Sequence, residues 1–349
     1  MTRFATLACT CLLLGLGLAA CGEKEEPSGA GGGGDGPAAL RVMLDYFPNA
    51  DHAGLYAAQG AGVYEDAGLD VELTPPPDPS APLKLLQAGK VDVAVSYEPE
   101  LLLAREAGAD LVSVAALVQT PLTSLMSVGD DAIRAPGQLR GKRVGTAGIA
   151  YQSAYLETIL RTAGVDPSSV KETNVGFGLV PAMLSGKVDA TLGAFWNYEG
   201  VDLERRGRKP EILRMEDLGV PPYNELIFVA RRKDLTEAGA GRLRRFLRAT
   251  ARGHELLRER PQVGVDALLE ADGGLDRELQ EASVKATLPV FFPEDDDRPF
   301  GFQDEAEWVR YEAWMRENGL LKQPAADRAP LTNEFLPGEG LDPGTSGLE

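Results

Sequence analysis

The sequence predicts an α/β protein of two similar lobes, each a mainly parallel sheet flanked by helices. Three observations lead there. The stretch AGKVDVAVSYEPE, from Ala88, returns as SGKVDATLGAFWNYE from Ser185. Short apolar runs alternate with helix-like runs around both copies, the pattern of parallel βαβ units with helices on both faces. The body beyond the N-terminal region, about 300 residues, exceeds what one hydrophobic core usually serves.

The first lobe begins with an apolar strand over 40–44 and a polar loop over 45–52. A helix over 52–67 follows, with Gly68 placed as its stop. Next come a strand over 69–73 and the stiff turn TPPPDPS, where proline forbids a continuing ladder. A short helix over 81–88, a strand over 91–96, a helix over 98–107 and a strand over 111–117 complete this part. The second lobe repeats the order: strand 143–146, helix 151–163, strand 170–175, short helix 180–185 and strand 188–194. The two Gly-Lys-Val-Asp turns therefore occupy the same step of equivalent units. Gly89 and Gly186 suit the left-handed position that ends such a helix. The turn itself is a common helix-to-strand device and needs no functional role.

TPLTSLMSV (120–128) and PPYNELIFVARR (221–232) are polar stretches leading into apolar strands. They read as crossovers, out to the second lobe and back, and two such connections make a hinge. Beyond residue 232, RRFLRATARGHELLRER and EAEWVRYEAWMRENG carry apolar residues at helical spacing. These helices are expected to pack on the first lobe, with Trp308 and Trp314 in the core.

The N-terminus reads differently. Arg3 followed by the apolar, small-residue run of 12–20 is a secretory signal, too short for a spanning helix. Leu18-Ala19-Ala20-Cys21 resembles the lipobox of bacterial lipoproteins, which implies cleavage before Cys21 and lipidation of its thiol. The alternative is an ordinary signal with a chance cysteine. A Gly-rich tether with Glu23, Glu25 and Glu26 follows. The expected organisation is signal 1–20, lipidated Cys and flexible linker 21–38, first lobe 39–122, second lobe 123–222, return strand and C-terminal helices 223–337, and a disordered tail 338–349. Two or more acyl chains would hold the protein to the outer face of a cell membrane, periplasmic or cell-wall side.

Composition excludes several classes. Cys9 and Cys11 leave with the signal and Cys21 is blocked, so the mature body has no thiol, and only His52 and His254 remain. That rules out a Cys/His zinc site and a cysteine nucleophile; no metal and no cofactor are expected. A net charge of −18 argues against a nucleic-acid partner. A monomer is expected.

Parallel sheets bind ligands beyond the carboxyl ends of their strands. In the first lobe these places hold 45–52 and Ser96-Tyr97-Glu98. In the second they hold 145–151 and Phe195-Trp196-Asn197-Tyr198-Glu199. If the lobes face each other, these loops line one cleft rich in aromatic and carboxylate side chains.

LDYFPNADHAGLYAAQGAGVYEDAGLDVEL, PPPDPSAPLKLLQAGKVDVAVSYEPELL, PLTSLMSV, FWNYEG and YNELIFVA together resemble ThiY-type substrate-binding proteins, from about residue 41 to 337. Those proteins deliver thiamine pyrimidine precursors to ABC transporters and share a group with the fungal pyrimidine synthases. The resemblance implies a hinged, two-lobe periplasmic-binding-protein (type II) fold. It also implies a permease partner and a pyrimidine ligand, formylated aminomethylpyrimidine or hydroxymethylpyrimidine. In the synthases a lysine that carries pyridoxal phosphate follows the GKVD strand, with a histidine four residues on. Here those places hold Ser96 and Glu100, and no Cys-rich run stands at 221–225. The chain is therefore expected to bind rather than catalyse.

A flat aminopyrimidine calls for aromatic faces and a carboxylate for its donors. Tyr46, Tyr97, Trp196, Tyr198 and Tyr223 are the stacking candidates. Trp196 and Tyr46 come first because they follow strand ends in opposite lobes; loop packing is the alternative for each. Glu199 and Asp45 are the favoured carboxylates, able to form a charge-assisted pair with an amine and a ring nitrogen. Otherwise Glu199 complements a helix dipole and Asp45 caps a helix. Asn49 and His52 share that capping role and are ligand candidates, as is Ser96. Gly148 and Tyr151, in VGTAGIAYQ, are placed to meet a polar tail, although the three-glycine nucleotide spacing is absent. Glu225, on the return crossover, is expected to report ligand binding to the hinge. Competing readings are the same fold binding riboflavin, or a nitrate-, taurine- or sulfonate-type anion, and a residual pyrimidine-forming enzyme. The four loops carry no arginine, which counts against anions.

Overall fold

The computed structural model describes residues 36–292, 298–323 and 328–337. The expected signal 1–20, Cys21, the linker up to residue 35 and the tail 338–349 lie outside the described residues.

The first lobe opens with β1 (Ala38–Met43), a 3-10 turn (Ala50–His52), and helices α1 (Ala53–Gly60) and α2 (Val63–Asp66). β2 (Leu69–Thr74), α3 (Pro82–Gln87), β3 (Val93–Ser96), α4 (Glu98–Glu106) and β4 (Leu111–Val118) follow. The second lobe contains β5 (Thr123–Val128), β6 (Arg143–Thr146), α5 (Ala150–Thr162), β7 (Lys171–Asn174), α6 (Leu179–Leu184), β8 (Ala190–Phe195), α7 (Glu199–Arg205) and β9 (Pro210–Arg214). The chain returns as β10 (Leu226–Arg231) and continues into α8 (Glu237–Glu259), α9 (Pro261–Ala271), α10 (Arg277–Phe291) and α11 (Glu305–Glu317). Two details differ from the sequence expectation. The helix expected over 52–67 is interrupted at 61–62, and β9 carried no clear apolar signal because all its residues are at least partly exposed.

The two sheets have orders β2-β1-β3-β10-β4 and β7-β6-β8-β5-β9. In the first, β10 is antiparallel to both neighbours, so the other four strands share one direction. In the second, β5 plays that part. Each odd strand is the one that arrives from the other lobe: β5 follows the crossing at 119–122, and β10 follows the crossing at 215–225. One continuous apolar core spans both sheets, with a smaller cluster around Met126, Leu179 and Val188.

The repeated turn now has a structural task. Asp92 accepts hydrogen bonds from the backbone N–H and guanidinium of Arg41 on β1, at 2.9–3.1 Å. Asp189 does the same for Arg143 on β6, at 2.6–3.0 Å. Gly89 and Gly186 both hold a left-handed φ, 74° and 68°, just before these strands. Arginine hydrogen bonds hold the Asp189 carboxyl below the usual carboxylate range. Burial works to raise that of Asp92, but Arg41 outweighs it and the shift is downward. The GKVD aspartate thus fixes the register of the central parallel pair in each lobe.

The crossings are tied by buried carboxylates. Glu225 Oε2 accepts the N–H of Leu122 at 2.7 Å, the N–H of Thr123 at 2.8 Å and the Tyr223 hydroxyl at 3.0 Å. Its Oε1 accepts the Thr123 hydroxyl at 2.9 Å. Glu98, heading α4, accepts the backbone N–H and the side-chain amide of Asn224, each at 2.7 Å. Burial pushes Glu225 up to about 7, and the donors work against that shift. The C-terminal helices do more than cover the first lobe. α8 and α9 pack on α1, as expected, but α10 also meets α7, and the Tyr311 hydroxyl of α11 bonds that of Tyr155 on α5. Trp308 is buried and Trp314 packs against the core.

Replacing Glu225 by Gln would turn an NH2 group toward donors that need an acceptor. Glu225→Gln is expected to lower stability by about 2–3 kcal/mol in urea unfolding, with the slope unchanged.

Candidate functional site

The carboxyl ends of β1, β3, β6 and β8 converge on one cavity between the lobes. It is lined from the first lobe by Asp45, Tyr46, Asn49 and Tyr97. The second lobe contributes Ala147, Ile149, Gln152, Leu179, Gly193, Phe195, Tyr198 and Glu199. The cavity measures about 20 Å³, less than a pyrimidine ring, so entry requires the lobes to part or Tyr46 to swing away. Tyr46 bridges the lobes here: its hydroxyl donates to the Phe177 carbonyl at 2.9 Å, and its ring meets that of Phe177 edge-on.

Asp45 is a fully engaged carboxylate. Its Oδ1 lies 2.8 Å from His52 Nε2, and its Oδ2 accepts the Tyr97 hydroxyl at 2.8 Å. The Asn49 N–H points at His52 Nδ1, at 3.3 Å, which places the imidazole proton on Nε2. His52 is therefore a donor that orients Asp45, and Asn49 caps the 3-10 turn by accepting the Asp51 N–H.

Glu199 differs. It heads α7 in a buried position, and burial pushes its carboxyl up to about 8 against two backbone hydrogen bonds. Oε2 accepts the Phe195 N–H at 2.8 Å, and among the described residues no side chain donates to Oε1. The lining carries two carboxylates and no cation. Around them stand the rings of Tyr46, Tyr97, Phe195 and Tyr198, the last accepting a hydrogen bond from Gln280 at 3.2 Å.

The structure thus gathers Asp45, Tyr46, Asn49, Tyr97, Tyr198 and Glu199 around the cavity, and leaves the other candidates outside its lining. Trp196, a first choice for stacking, turns the other way: its indole N–H donates to the Pro121 carbonyl at 3.2 Å, and the Arg214 guanidinium sits over its ring at 4.1 Å. It packs against the outgoing crossing instead. Tyr151 and Tyr223 lie deeper, in a run of buried rings with Tyr155 and Tyr311 that leads toward the hinge. Glu225 is in the hinge itself. Ser96 donates to Glu100 at 2.6 Å, behind the cavity wall. Gly148 has a left-handed φ of 82°, and a side chain there would overlap Asn174, so its contribution is backbone shape. Three residues carried no signal in the sequence reading: Phe177, which covers Tyr46; Gln152; and Gly193, inside β8.

A family model described as NMT1/THI5 like matches residues 49–263. The formylaminopyrimidine-binding protein of Halalkalibacterium halodurans is 34% identical over 289 residues, covering 82% of this chain and 87% of that one. The 4-amino-5-hydroxymethyl-2-methylpyrimidine phosphate synthase of Legionella pneumophila is 26% identical over 299 residues, 85% of this chain and 92% of that one. Among solved structures, the alkanesulfonate-binding protein SsuA from Xanthomonas axonopodis pv. citri aligns with a TM-score of 0.65 at 19% identity. It covers 83% of this chain and 96% of that one, a likeness of fold alone.

Beside the cavity, a further polar cluster joins the lobes. Asn197 Nδ2 donates to Asp51 Oδ1 at 2.6 Å and to Thr287 Oγ1 at 2.8 Å. Asp51 Oδ2 and Asn197 Oδ1 are both buried without a partner. A proton on Asp51 would supply what both acceptors lack. Burial raises Asp51 to about 6, while His52 and the Asn197 bond lower it. The folded state therefore holds a proton that the unfolded chain releases. The associated stability is full below the ordinary carboxylate range and is lost as pH rises through about 6. Asp51→Asn is expected to raise the unfolding midpoint by roughly 2–6 °C near pH 7.5, where the wild-type carboxylate is charged and its Oδ2 has no partner. The difference should shrink toward pH 5, as thermal unfolding at the two pH values would show.

Proposed function

The chain belongs to the NMT1/THI5-like family, and we propose that it is a solute-binding lipoprotein that captures a thiamine pyrimidine precursor for an ABC importer. The ligand is formylaminopyrimidine or hydroxymethylpyrimidine. The observation that carries this reading is Glu199: a buried carboxylate with one oxygen anchored by Phe195 and the other open to an aromatic-walled cavity. An aminopyrimidine presents an exocyclic amine beside a ring nitrogen. Glu199 takes the amine proton on one oxygen and shares a further proton with the ring nitrogen. A carboxyl raised to about 8 favours that sharing, because the proton is retained at neutral pH.

The name of the Halalkalibacterium relative supports the same ligand class. A sulfonate or nitrate would meet two carboxylates and no cation in the lining, which speaks against an anion.

The proposed mechanism is binding by lobe movement, without chemistry. Tyr46 releases Phe177, the ring enters between Tyr46 and the second lobe, and the lobes close on it. Where the related synthases have their lysine and histidine, Ser96 and Glu100 bond each other. The protein would work on the outer face of a membrane, held by lipid on Cys21, as a monomer facing its permease.

Calorimetric titration of the chain truncated after Cys21 tests this. The wild type should bind one of the two pyrimidines tightly and leave taurine and riboflavin unbound. Glu199→Leu should weaken binding by about two orders of magnitude, and Trp196→Ala should leave it within about threefold. Riboflavin or taurine binding in place of either pyrimidine would overturn the ligand assignment.

A further inference from the structure

Gln152 sits in the first turn of α5, buried, at the carboxyl end of β6. Its Oε1 accepts the Ala147 N–H at 2.8 Å, which settles the orientation of the carboxamide: the NH2 end is turned away from that loop. The NH2 end lies over Gly193 in β8. Gly193 has a φ of 116°, and a Cβ at this position would overlap Gln152 Nε2. Glycine inside a strand weakens it and is otherwise unexpected there. Among the described residues no hydrogen bond takes the NH2 end, and the side chain lines the cavity.

Most other polar groups of the lining are engaged: Tyr46 donates to Phe177, Tyr97 donates to Asp45, Asn49 donates one amide N–H to Phe47, and Tyr198 accepts from Gln280. Asp45 accepts on both oxygens, and Glu199 is an acceptor awaiting donors. The site therefore pairs an open acceptor with an N–H donor whose direction is fixed by Ala147 and Gly193. Both lie beyond the carboxyl ends of neighbouring parallel strands, Glu199 at the head of α7 after β8 and Gln152 in the first turn of α5 after β6.

We infer that Gln152 determines specificity: its carboxamide, oriented by Ala147 and seated over Gly193, donates an N–H to an oxygen on the ring substituent next to the ligand's amine. A formyl or hydroxymethyl group offers that oxygen; a methyl group does not. Gly193 is the residue that makes room for the donor. This inference rests on the pyrimidine reading of the same cavity and names what distinguishes one pyrimidine from another.

The test compares three ligands by calorimetry: formylaminopyrimidine, hydroxymethylpyrimidine, and the dimethyl aminopyrimidine that lacks the oxygen. Gln152→Glu keeps the acceptor for Ala147 and the side-chain shape but replaces the donor. It should cost about tenfold to a hundredfold for the oxygen-bearing ligand that the wild type binds and less than about threefold for the dimethyl compound. Gln152→Leu should show the same selectivity loss. Equal losses for both ligand types, or no loss in either variant while Glu199→Leu still weakens binding, would overturn the role of Gln152. Failure of the wild type to bind any of the three would instead overturn the pyrimidine reading, and this inference with it.

Discussion

One buried carboxylate holds the two chain crossings together, and the position of everything in the cleft depends on it. Glu225 belongs to the returning segment, yet most of its donors come from the outgoing one, at Leu122 and Thr123. An ionised carboxylate accepting several bonds is worth far more than any single neutral contact, at about 1.5–3 kcal/mol for each charged hydrogen bond. Because the bonds converge on one side chain, the crossings cannot drift apart independently. Glu98 and Asn224 repeat the arrangement a few ångströms away along the return path. The hinge is thus a fixed point about which two sheets can rock, each carrying its own strand ends toward the cavity.

The surfaces that meet above this hinge are unusually polar for buried ones. Tyr46 reaches a backbone carbonyl, Asn197 reaches Asp51 and Thr287, and Tyr198 receives Gln280. An apolar interface of the same extent would favour closure by its hydrophobic area and resist opening. Here separation returns each group to water, and closure leaves Asp51, Asn197 and Gln280 each with an unpaired atom. The free-energy difference between open and closed forms is therefore small by construction, which is what a ligand needs if its own contacts are to decide the balance. Raised carboxyls at Glu199, Glu98 and Asp51 are the electrostatic counterpart of the same burial.

The sequence made the strand-helix order legible because the same unit is written twice. Gly89 and Gly186, Asp92 and Asp189, and Arg41 and Arg143 occupy matching places, and the last pair shows why the motif recurs in full. The loops at strand ends were legible as well, since the parallel direction fixes which end faces the cleft. Which side chain points inward was not. In the run from Phe195 to Glu199, Phe195, Tyr198 and Glu199 reach the cavity, while Trp196 turns outward under Arg214 and Asn197 goes to the other lobe. That outcome depends on the turn joining β8 to α7, where Tyr198 adopts a helical ψ before the helix begins. Residue type gave no hint of it, and position after a strand end pointed equally to Trp196, which packs outside the lining. Gln152 was invisible for another reason. Its significance comes from Ala147 in the preceding loop and from a glycine on a neighbouring strand, a relation that exists only once the sheet is formed.

Seen this way, the division of labour between the two carboxylates of the cavity follows from their neighbours rather than their type. Asp45 meets His52 and Tyr97, both donors from its own lobe, and so becomes part of a rigid wall. Glu199 meets only backbone N–H groups on one side, and its remaining capacity faces the space between lobes. A carboxylate satisfied before the ligand arrives gains little from binding it, whereas one that is buried and half satisfied gains most. The same logic applies to Gln152, whose amide is held by Ala147 on one side and left facing the cavity on the other. Selectivity in such a site is carried by the few atoms that the protein leaves unpaired, and the rest of the lining serves to keep those atoms still.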